Sequence, residues 1–256
     1  MLLAIDIGNT TISIGALKLK EGKIERIETV ETNQSAIKLK KNLARIFHAL
    51  KNKYLFMDSA MICSVAPWAT EIVESLLKTQ FKIKPIIIGR NVHVPIQNNY
   101  HYPQQVGQDR LVVAYAAKYF YGAPVLVIDF GTAITFDVVS AKGAYEGGII
   151  VPGIRLSAES LFQKTALLPR LEKFQIPKNL IGKTTQESIL SGLFYGYGVL
   201  SKGLIAAISK KMKKRPKVII TGGHAHLMKK LIGRYVTRMD PHLIFQGMKL
   251  IYDKMD

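Results

Sequence analysis

Apolar side chains recur along the chain with two periods, one typical of β-strands and the other of α-helices. Residues 3–15 read as two apolar strands around a polar turn, and residues 35–50 repeat their apolar positions at largely helical spacing. Further along, the pattern predicts a strand at 58–65, a helix at 67–79 and a strand at 84–89. Because strands and helices alternate here, we expect an α/β layer in the first half of the chain.

The second half of the chain shows a similar alternation. Its predicted elements are, in order, a helix from Asp109 to Tyr121, hairpin strands within 125–139, a helix at 156–163, a long helix beginning at Thr184 or Thr185, a strand at 216–221 and a final helix. Glu187 follows Thr184 at the spacing of a capping box. We therefore expect Thr184 to cap the long helix.

Two segments about half a chain apart are alike. Residues 3–15 are LAIDIGNTTISIG, and residues 126–138 are LVIDFGTAITFDV. Each is an apolar strand ending in an aspartate, then a glycine turn, then a second strand, which predicts a duplicated domain. A glycine in such a hairpin permits a positive φ or a close backbone approach, so that amide hydrogens face an anion. For one copy alone, an Asx turn explains the pattern equally well, but the repetition favours a ligand site.

A third glycine turn, Thr221-Gly222-Gly223, also follows an apolar strand. Ligands of α/β sheets collect beyond the strand ends, so three converging turns would offer backbone donors to a polyphosphate and a carboxylate pair to its cation. This combination predicts nucleotide binding. The sequence contains neither the GxxxxGK[ST] of a P-loop nor the GxGxxG of a dinucleotide site.

Composition excludes several classes of protein. The chain has 256 residues, of which 48% are hydrophobic and 21% charged, so it is not an intrinsically disordered protein. Its single cysteine, Cys63, cannot form an intrachain disulfide, and its apolar neighbours predict a small, buried, inert side chain. No apolar run approaches the ~18 residues of a membrane helix, and Asp6 interrupts the first apolar stretch, so we expect a cytoplasmic protein without a membrane segment.

The net charge of +18 raises the question of a nucleic-acid partner, since clustered cations attract phosphate backbones. The densest basic patch comprises Lys210, Lys211, Lys213, Lys214, Arg215 and Lys217. This patch stands between an apolar helical stretch and an apolar strand, where basic side chains meet the partial negative end of a helix, and it lacks interleaved aromatic residues. We interpret it as an exposed turn and do not expect a nucleic-acid partner.

The paired aspartyl hairpins resemble those of the actin, sugar-kinase and heat-shock ATPase superfamily, and further motifs resemble the type III pantothenate kinases. The matching segments follow that family's order: DIGNT (6–10), SVAP (64–67), Tyr100-x-x-Pro103, Gly107-Gln108-Asp109-Arg110, DFGTA (129–133), GGIIVPG (147–153), LPRL (168–171), GKTT (182–185) and TGG (221–223). The resemblance implies an α/β fold of two duplicated actin-like, ribonuclease H-like domains, each a mixed β-sheet with flanking helices. We place these domains at 1–115 and 116–256.

The same resemblance implies an enzyme that phosphorylates pantothenate to 4'-phosphopantothenate with ATP, the first step of coenzyme A biosynthesis. The cofactors it implies are ATP, Mg²⁺ and a monovalent cation, K⁺ or NH₄⁺. It also implies a homodimer whose active site is built across the subunit boundary. The alternative is a non-catalytic ATP-binding regulator of the same fold that uses its basic surface to associate with nucleic acid.

Asp109 is the candidate general base, because transfer of a phosphoryl group to an alcohol needs an acceptor for the hydroxyl proton. A plain helix N-cap is the competing explanation for Asp109. The adjacent Arg110 can clamp an anion such as a substrate carboxylate.

The resemblance assigns further site residues by position. Those of the first phosphate loop are Asp6, Ile7, Gly8, Asn9, Thr10, Thr11, Ile12 and Ser13, with Asp6 holding Mg²⁺ through water. Asp129 matches the monovalent-cation ligand and Thr132 the second nucleotide contact. The substrate pocket matches Tyr100, Gly107, Gln108, Asp109, Arg110 and Thr184.

The chain departs from the family's usual pattern at two positions. Gln105 stands where an acidic residue is common, and His224 follows the TGG turn where a small or apolar residue is more usual. We expect His224 to be a surface substitution.

Overall fold

The computed structural model of the chain describes residues 1–19, 21, 23–54, 57–212 and 214–255. The chain divides into two compact units. The first unit contains residues 1–96, 101–116 and 242–256, and the second contains residues 97–100 and 117–241. The main division thus lies one residue from the predicted boundary between 115 and 116, but the units are not contiguous halves, because the C-terminal segment packs within the first.

The described elements are, in chain order, β1 (Leu2–Ile7), β2 (Thr11–Lys18), β3 (Lys23–Glu31), α1 (Ala36–Lys53), β4 (Ser59–Ser64), α2 (Pro67–Leu76), β5 (Ile86–Ile87), α3 (Gln108–Tyr121), β6 (Val125–Phe130), β7 (Ala133–Val139), β8 (Tyr145–Pro152), α4 (Ile154–Lys164), α5 (Thr185–Lys211), β9 (Lys217–Thr221), α6 (Ala225–Ile232), β10 (Arg238–Met239) and α7 (Leu243–Tyr252). A π-helical turn at Leu77–Phe81 extends α2, and short 3-10 turns occupy Pro103–Gln105 and Gly233–Tyr235.

The first unit is built on a five-stranded mixed sheet in the order β3-β2-β1-β4-β5. β1, β2 and β3 are antiparallel neighbours, whereas β4 runs parallel to β1 and β5 parallel to β4. α1 contributes Leu39, Leu43, Phe47 and Leu50 to the core, a spacing that puts four apolar side chains on one helical face. The apolar positions predicted at helical spacing in 35–50 therefore form the face of α1 that packs on this sheet.

The second unit repeats this architecture. Its sheet has the order β10-β9-β6-β7-β8, with β6, β7 and β8 antiparallel and β9 and β10 parallel to β6. When the strands are counted within each unit, both sheets have the order third, second, first, fourth and fifth. The predicted duplication is therefore confirmed. Its core includes Phe130, Phe136 and Phe194.

Three predicted elements differ in extent from the observed ones. The strand predicted at 84–89 contains only Ile86–Ile87, because Gly89 adopts a φ of 88° and turns the chain. The helix predicted at 67–79 ends its regular part at Leu76, and Lys82, with a φ of 59°, closes the π-helical turn after it. The final helix is two helices, α6 and α7.

α5 is long and apolar enough, by length and composition, to be a candidate membrane span among the described residues. It has 27 residues, and its Leu190, Leu193, Phe194 and Ile205 pack in the core of the second unit. A core helix of a folded domain passes the same length and composition test, and we interpret α5 in that way.

Candidate active site

The turn between β1 and β2 is held from one side by Thr32, the residue that follows β3. The Gly8 amide donates to the Thr11 carbonyl (3.0 Å), while the Thr32 hydroxyl donates to the Gly8 carbonyl and the Thr32 amide to the Thr10 carbonyl, both at 2.8 Å. Asn9, Thr10 and Thr11 are exposed, whereas Thr32 is buried. The predicted first phosphate loop is thus an exposed turn on a buried support.

Asp109 lies in the first turn of α3. The helix begins at Gln108, and the Leu111 amide donates to the Gly107 carbonyl (3.3 Å), so Gly107 holds the N-cap position and the N-cap explanation for Asp109 is wrong. The Asp109 Oδ1 accepts from the Arg110 amide at 2.9 Å. A Cβ added to Gly107 would lie 2.5 Å from this oxygen and 3.7 Å from Val65 Cγ1, so the GQDR and SVAP segments adjoin.

Cys63 is buried in the first unit, where two of the predicted acidic residues, Asp6 and Asp109, act on it through their charges. It is the register partner of Asp6 in the β1–β4 pair, and its thiol is free and fully buried. Burial, and after it the negative charges of Asp6 and then Asp109, raises the pKa of Cys63 well above its ordinary value. The charges of Asp6 and Asp109 thus both act on one buried thiol, which agrees with the predicted inert cysteine.

Gln108 packs against the loop that follows β5. A Cβ added to Gly89 would lie 3.0 Å from the Gln108 Cγ and Cδ atoms, and the φ of 88° at Gly89 also favours glycine there. Gly107, Gln108, Asp109 and Arg110 are all partly exposed. The GQDR segment is therefore accessible to a ligand, although the sequence analysis did not predict its contact with this loop.

In the second unit, Asp129 lies directly against the TGG turn. Asp129 pairs with Thr221 across β6 and β9, and a Cβ added to Gly222 would collide with the Asp129 carboxylate and the Phe130 backbone. Gly222 also has a φ of 92°, which side chains rarely adopt. The second and third predicted glycine turns, both in this unit, thus meet, and glycine at 222 is what allows the contact.

The segment after β8 reaches the same turn. The Gly153 amide donates to the Thr132 carbonyl at 2.9 Å, and a Cβ on Gly153 would collide with the carbonyl oxygens of Gly131 and Thr132. At the other end of the GGIIVPG segment, a Cβ on Gly147 would lie 3.3 Å from the ring of Tyr100. The second unit therefore brings Asp129 and Thr132 together with Gly153 and Gly222. Tyr100 packs on Gly147, at the other end of the GGIIVPG segment.

Thr184 caps α5, as predicted. Its hydroxyl accepts from the Glu187 amide at 3.2 Å. The Glu187 carboxylate accepts from the Lys183 amide at 2.8 Å, so the capping box closes one residue before the predicted position. Thr184 is exposed, and a second role in substrate contact stays a prediction.

His224 is not a surface substitution. It is half-buried, it precedes α6, and its ring meets Phe174 edge-on at 6.2 Å between centroids. Burial, followed by the positive charges of Arg155 and His226, lowers the pKa of His224. The prediction was wrong because the sequence does not reveal that Phe174, fifty residues earlier, covers the imidazole.

The basic patch lies at the opposite end of β9 from the TGG turn. Lys210, Lys214 and Arg215 line a cavity of about 600 Å³ together with Tyr235, and Arg215 and Lys217 line an adjoining one of about 340 Å³. Lys213 falls outside the described residues. The patch thus borders the end of α5, as predicted, and takes no part in the group of turns around Asp129.

Metal binding by protein groups alone is not indicated. Within the part of the chain that the structure describes, no cluster of three or more histidine, cysteine, aspartate or glutamate side chains could hold a metal ion. Mg²⁺ ordinarily uses one or two carboxylates, water and substrate phosphates. The partly exposed Asp6 beside the first turn fits that coordination.

Sequence reasoning missed Thr32, the contact of Gly153 with the Asp129 turn and the effect of the Asp6 and Asp109 charges on Cys63. Nothing in a single sequence shows these contacts, because each joins residues that are far apart along the chain. Only the glycine at 153, at the end of the GGIIVPG segment, carried a partial signal.

Comparison with known proteins agrees with this geometry. The family model described as type III pantothenate kinase matches residues 2–211. A protein of Persephonella marina named type III pantothenate kinase is 40% identical over 98% of both chains, and one of a Sulfurihydrogenibium species with the same name is 38% identical over 89% of this chain and 90% of its own.

Solved structures support the fold at lower identity. A conserved putative Baf family transcriptional activator from Campylobacter jejuni matches with a TM-score of 0.58 and 21% identity over 99% of this chain and 98% of its own. A putative 2-dehydro-3-deoxygalactonokinase from Sinorhizobium meliloti matches with a TM-score of 0.59 and 9% identity over 100% and 99%. The two repeated mixed sheets thus have the fold of these solved structures, which agrees with the predicted pair of actin-like domains. Together with the family match over most of its length, they show that the chain belongs to the type III pantothenate kinase family, whose members phosphorylate pantothenate with ATP.

Proposed function

We propose that this chain transfers a phosphoryl group from ATP to the hydroxyl of pantothenate, the first step of coenzyme A biosynthesis, with Asp109 as the general base. The observation that carries the proposal is that the segments of Asp6 and Asp109 meet at Val65 within the first unit: the Val65 amide donates to the Ile7 carbonyl at 3.0 Å, and a Cβ on Gly107 would lie 3.7 Å from Val65 Cγ1. One of these carboxylates stands beside an exposed backbone turn, and the other begins a helix. Phosphoryl transfer to an alcohol requires this division between a group that serves the nucleotide and a group that accepts a proton.

Asp109 is suited to accept the hydroxyl proton. Its Oδ1 accepts from the Arg110 amide, and its position in the first turn of α3 favours the charged form through the helix dipole. One carboxylate oxygen is therefore anchored, while the group as a whole remains partly exposed. The guanidinium of Arg110 binds the carboxylate of pantothenate, since arginine pairs with carboxylates through two parallel hydrogen bonds.

Residues 6–13 serve the nucleotide. The backbone amides of Asn9 and Thr11 in the exposed turn hydrogen-bond to phosphate oxygens, and Asp6 holds Mg²⁺ through water. When bound, Mg²⁺ supplies charge neutralisation on the transferring phosphoryl group. The chain's own part is to hold the turn, and the buried β1 strand behind Asp6 makes that turn rigid.

Residues of the second unit have complementary roles. Asp129 binds a monovalent cation, K⁺ or NH₄⁺, and Thr132 makes the second nucleotide contact. Tyr100 and Thr184 contact the substrate. The packing of Gly222 and Gly153 on the Asp129 turn supports these assignments, since turns that need glycine at two points have little freedom to move.

The enzyme acts as a homodimer with its active site at the subunit boundary, in the cytoplasm. Exposed aromatic side chains near the end of α3, Tyr119 at 60% and Phe120 at 46%, are consistent with a buried surface in an assembly. Phe194, by contrast, lies fully buried in the core of its own unit.

The test is Asp109→Asn in a coupled assay of ADP release with pantothenate. Asparagine retains an oxygen that accepts from the Arg110 amide, so the fold and the affinity for MgADP are expected to persist. Turnover is expected to fall by about 10²–10⁴, the usual effect of a positioned base. The matched control is Asp58→Asn, because Asp58 is 73% exposed and pairs only with the amino terminus among the ion pairs described. Unchanged turnover in Asp109→Asn would remove this residue from the mechanism.

A further inference from the structure

Thr32 stands at the exit of β3, where it meets the first phosphate turn with both its hydroxyl and its backbone amide. It is 1% exposed, which is unusual for a threonine directly after an edge strand. Its hydroxyl donates to the Gly8 carbonyl and its amide to the Thr10 carbonyl, both at 2.8 Å. Both hydrogen bonds that Thr32 donates thus end on carbonyl oxygens of the turn.

These two bonds fix the orientation of two peptide planes. In a trans peptide, the carbonyl of one residue and the amide hydrogen of the next point in opposite directions. Because the Gly8 carbonyl points towards Thr32, the Asn9 amide hydrogen points away from it. For the same reason, the Thr10 carbonyl directs the Thr11 amide hydrogen away from Thr32. A phosphate needs amide hydrogens and is repelled by carbonyl oxygens, so this orientation is the one that favours an anion.

The second unit provides an internal comparison. There, Gly153 follows the third strand, and its amide donates to the Thr132 carbonyl, as the Thr32 amide does to Thr10. A side chain at 153 would collide with the carbonyls of Gly131 and Thr132. The two copies therefore share the backbone hydrogen bond to the turn, but only the first has room for a side chain there. Thr32 occupies that room, and its hydroxyl donates to the Gly8 carbonyl.

The first turn also needs this additional bond more than the second does. Three residues, 8–10, separate β1 from β2, whereas only Gly131 and Thr132 separate β6 from β7. A longer turn has more backbone freedom to lose on ordering. Without the Thr32 hydroxyl, the Gly8 carbonyl would lose this hydrogen bond. The peptide between Gly8 and Asn9 would then be held less firmly.

From these contacts we propose that Thr32 is a positioning residue for nucleotide phosphate, which orients the Asn9 and Thr11 amides through the carbonyls of Gly8 and Thr10. The proposal rests on the assignment of residues 6–13 to the nucleotide. Thr32 itself is buried beneath the turn, so it acts through the backbone and touches neither substrate.

The test compares Thr32→Val with Thr32→Ser. Valine keeps the shape and the backbone amide but lacks the hydroxyl, whereas serine keeps the hydroxyl and lacks a methyl group. We expect Thr32→Val to weaken MgADP binding, measured by calorimetry, about tenfold, which corresponds to ~1.4 kcal/mol for one hydrogen bond. We expect the KM for ATP to rise with it, the KM for pantothenate to change less, and Thr32→Ser to remain near the wild type.

A purely structural role would give a different result. Thr32→Val would then unfold at a lower temperature while its affinity for MgADP stayed equal to that of the wild type, and this outcome would overturn the proposal. Thr237→Val is the control, because the Thr237 hydroxyl accepts from the Val218 amide at 3.0 Å, at the end of β9 remote from the TGG turn. If Thr32→Val does not fold, Thr32→Ala and Thr32→Ser form a second pair that differs by the hydroxyl alone.

The binding measurement also separates this proposal from the proposed activity. A wild-type chain that binds MgADP but does not phosphorylate pantothenate refutes the activity and leaves the role of Thr32 to be decided by calorimetry. A wild-type chain that is active, with equal MgADP affinity in Thr32→Val, refutes the role of Thr32 alone.

Discussion

Replacement of Gly107 by alanine displaces the proposed base without removing it. Gly107 precedes α3, and its φ lies outside the left-handed region, so alanine meets no backbone strain there. The new Cβ would stand 2.5 Å from Asp109 Oδ1, and its nearest neighbour outside Asp109, Val65 Cγ1, is at an ordinary 3.7 Å. The whole effect of the substitution therefore falls on one carboxylate.

The size of the displacement follows from contact distances. A real Cβ is essentially never closer than 3.0 Å to a neighbouring atom, so Oδ1 must move by at least about 0.5 Å and weaken its bond to the Arg110 amide. Misplacement of a reacting group by about 1 Å costs on the order of 10²-fold in rate. We therefore expect kcat to fall about 10- to 100-fold in Gly107→Ala.

Stability is expected to change little in this variant. The colliding atom is the end of a short side chain that can rotate, and alanine is less favourable than glycine at an N-cap by no more than about 1 kcal/mol. The assay is the coupled measurement of ADP release with pantothenate, together with urea unfolding of the same samples.

Gly203→Ala in α5 is the matched control. No atom lies within 4 Å of a Cβ added there, so alanine is expected to raise the free energy of unfolding by about 1 kcal/mol and leave kcat unchanged. A wild-type kcat in Gly107→Ala would refute the reasoning, because it would mean that the position of Asp109 does not matter for the reaction.

Two further predictions concern stability in the second unit. Tyr121→Phe removes the hydroxyl that donates to the buried Asp240 carboxylate at 2.7 Å, so the free energy of unfolding in urea is expected to fall by about 1.5–3 kcal/mol. Tyr119→Phe, at an exposed side chain, should have almost no effect, and equal values for both variants would contradict the importance of the bond. The pKa of His224 is lowered in the folded chain, so its protonation favours unfolding, and stability is lost as pH falls below the ordinary histidine pKa of about 6.5. Between pH 7.5 and 5.5, the melting temperature of His224→Gln should therefore fall less than that of the wild type, with His93→Gln, at an exposed position, as the control. Parallel curves of melting temperature against pH for His224→Gln and the wild type would contradict this prediction.

The helices and strands were largely predictable because their signals are local. The short apolar runs of β1 and β6, the four-residue spacing in α1 and the cap at Thr184 each depend on residues within a few positions of one another. The repeat of an aspartate and a glycine after two apolar strands likewise predicted the duplicated sheet, which the two equal strand orders confirm.

The candidate site was predictable in its residue types but not in its supports. Asp6, Asp109 and Asp129 could be selected from motifs, and the Gly222 turn from its position after a strand. The buried support beneath the first turn could not, because Thr32 acts on residues more than twenty positions earlier and leaves no periodic trace in the sequence. His224 was misjudged for a related reason, since its burial depends on Phe174.

Local chemistry in the sequence was therefore enough to establish an α/β chain with two glycine-turn hairpins, a helix with Asp109 in its first turn and a buried cysteine. Tertiary packing alone established that the segments of Asp6 and Asp109 meet at Val65, that Gly153 and Gly222 close on the Asp129 turn, and that the C-terminal helix joins the first unit. The physical reason is the range of the forces involved. Backbone propensity and side-chain period act over a few residues, whereas burial and steric fit depend on which distant segments come together.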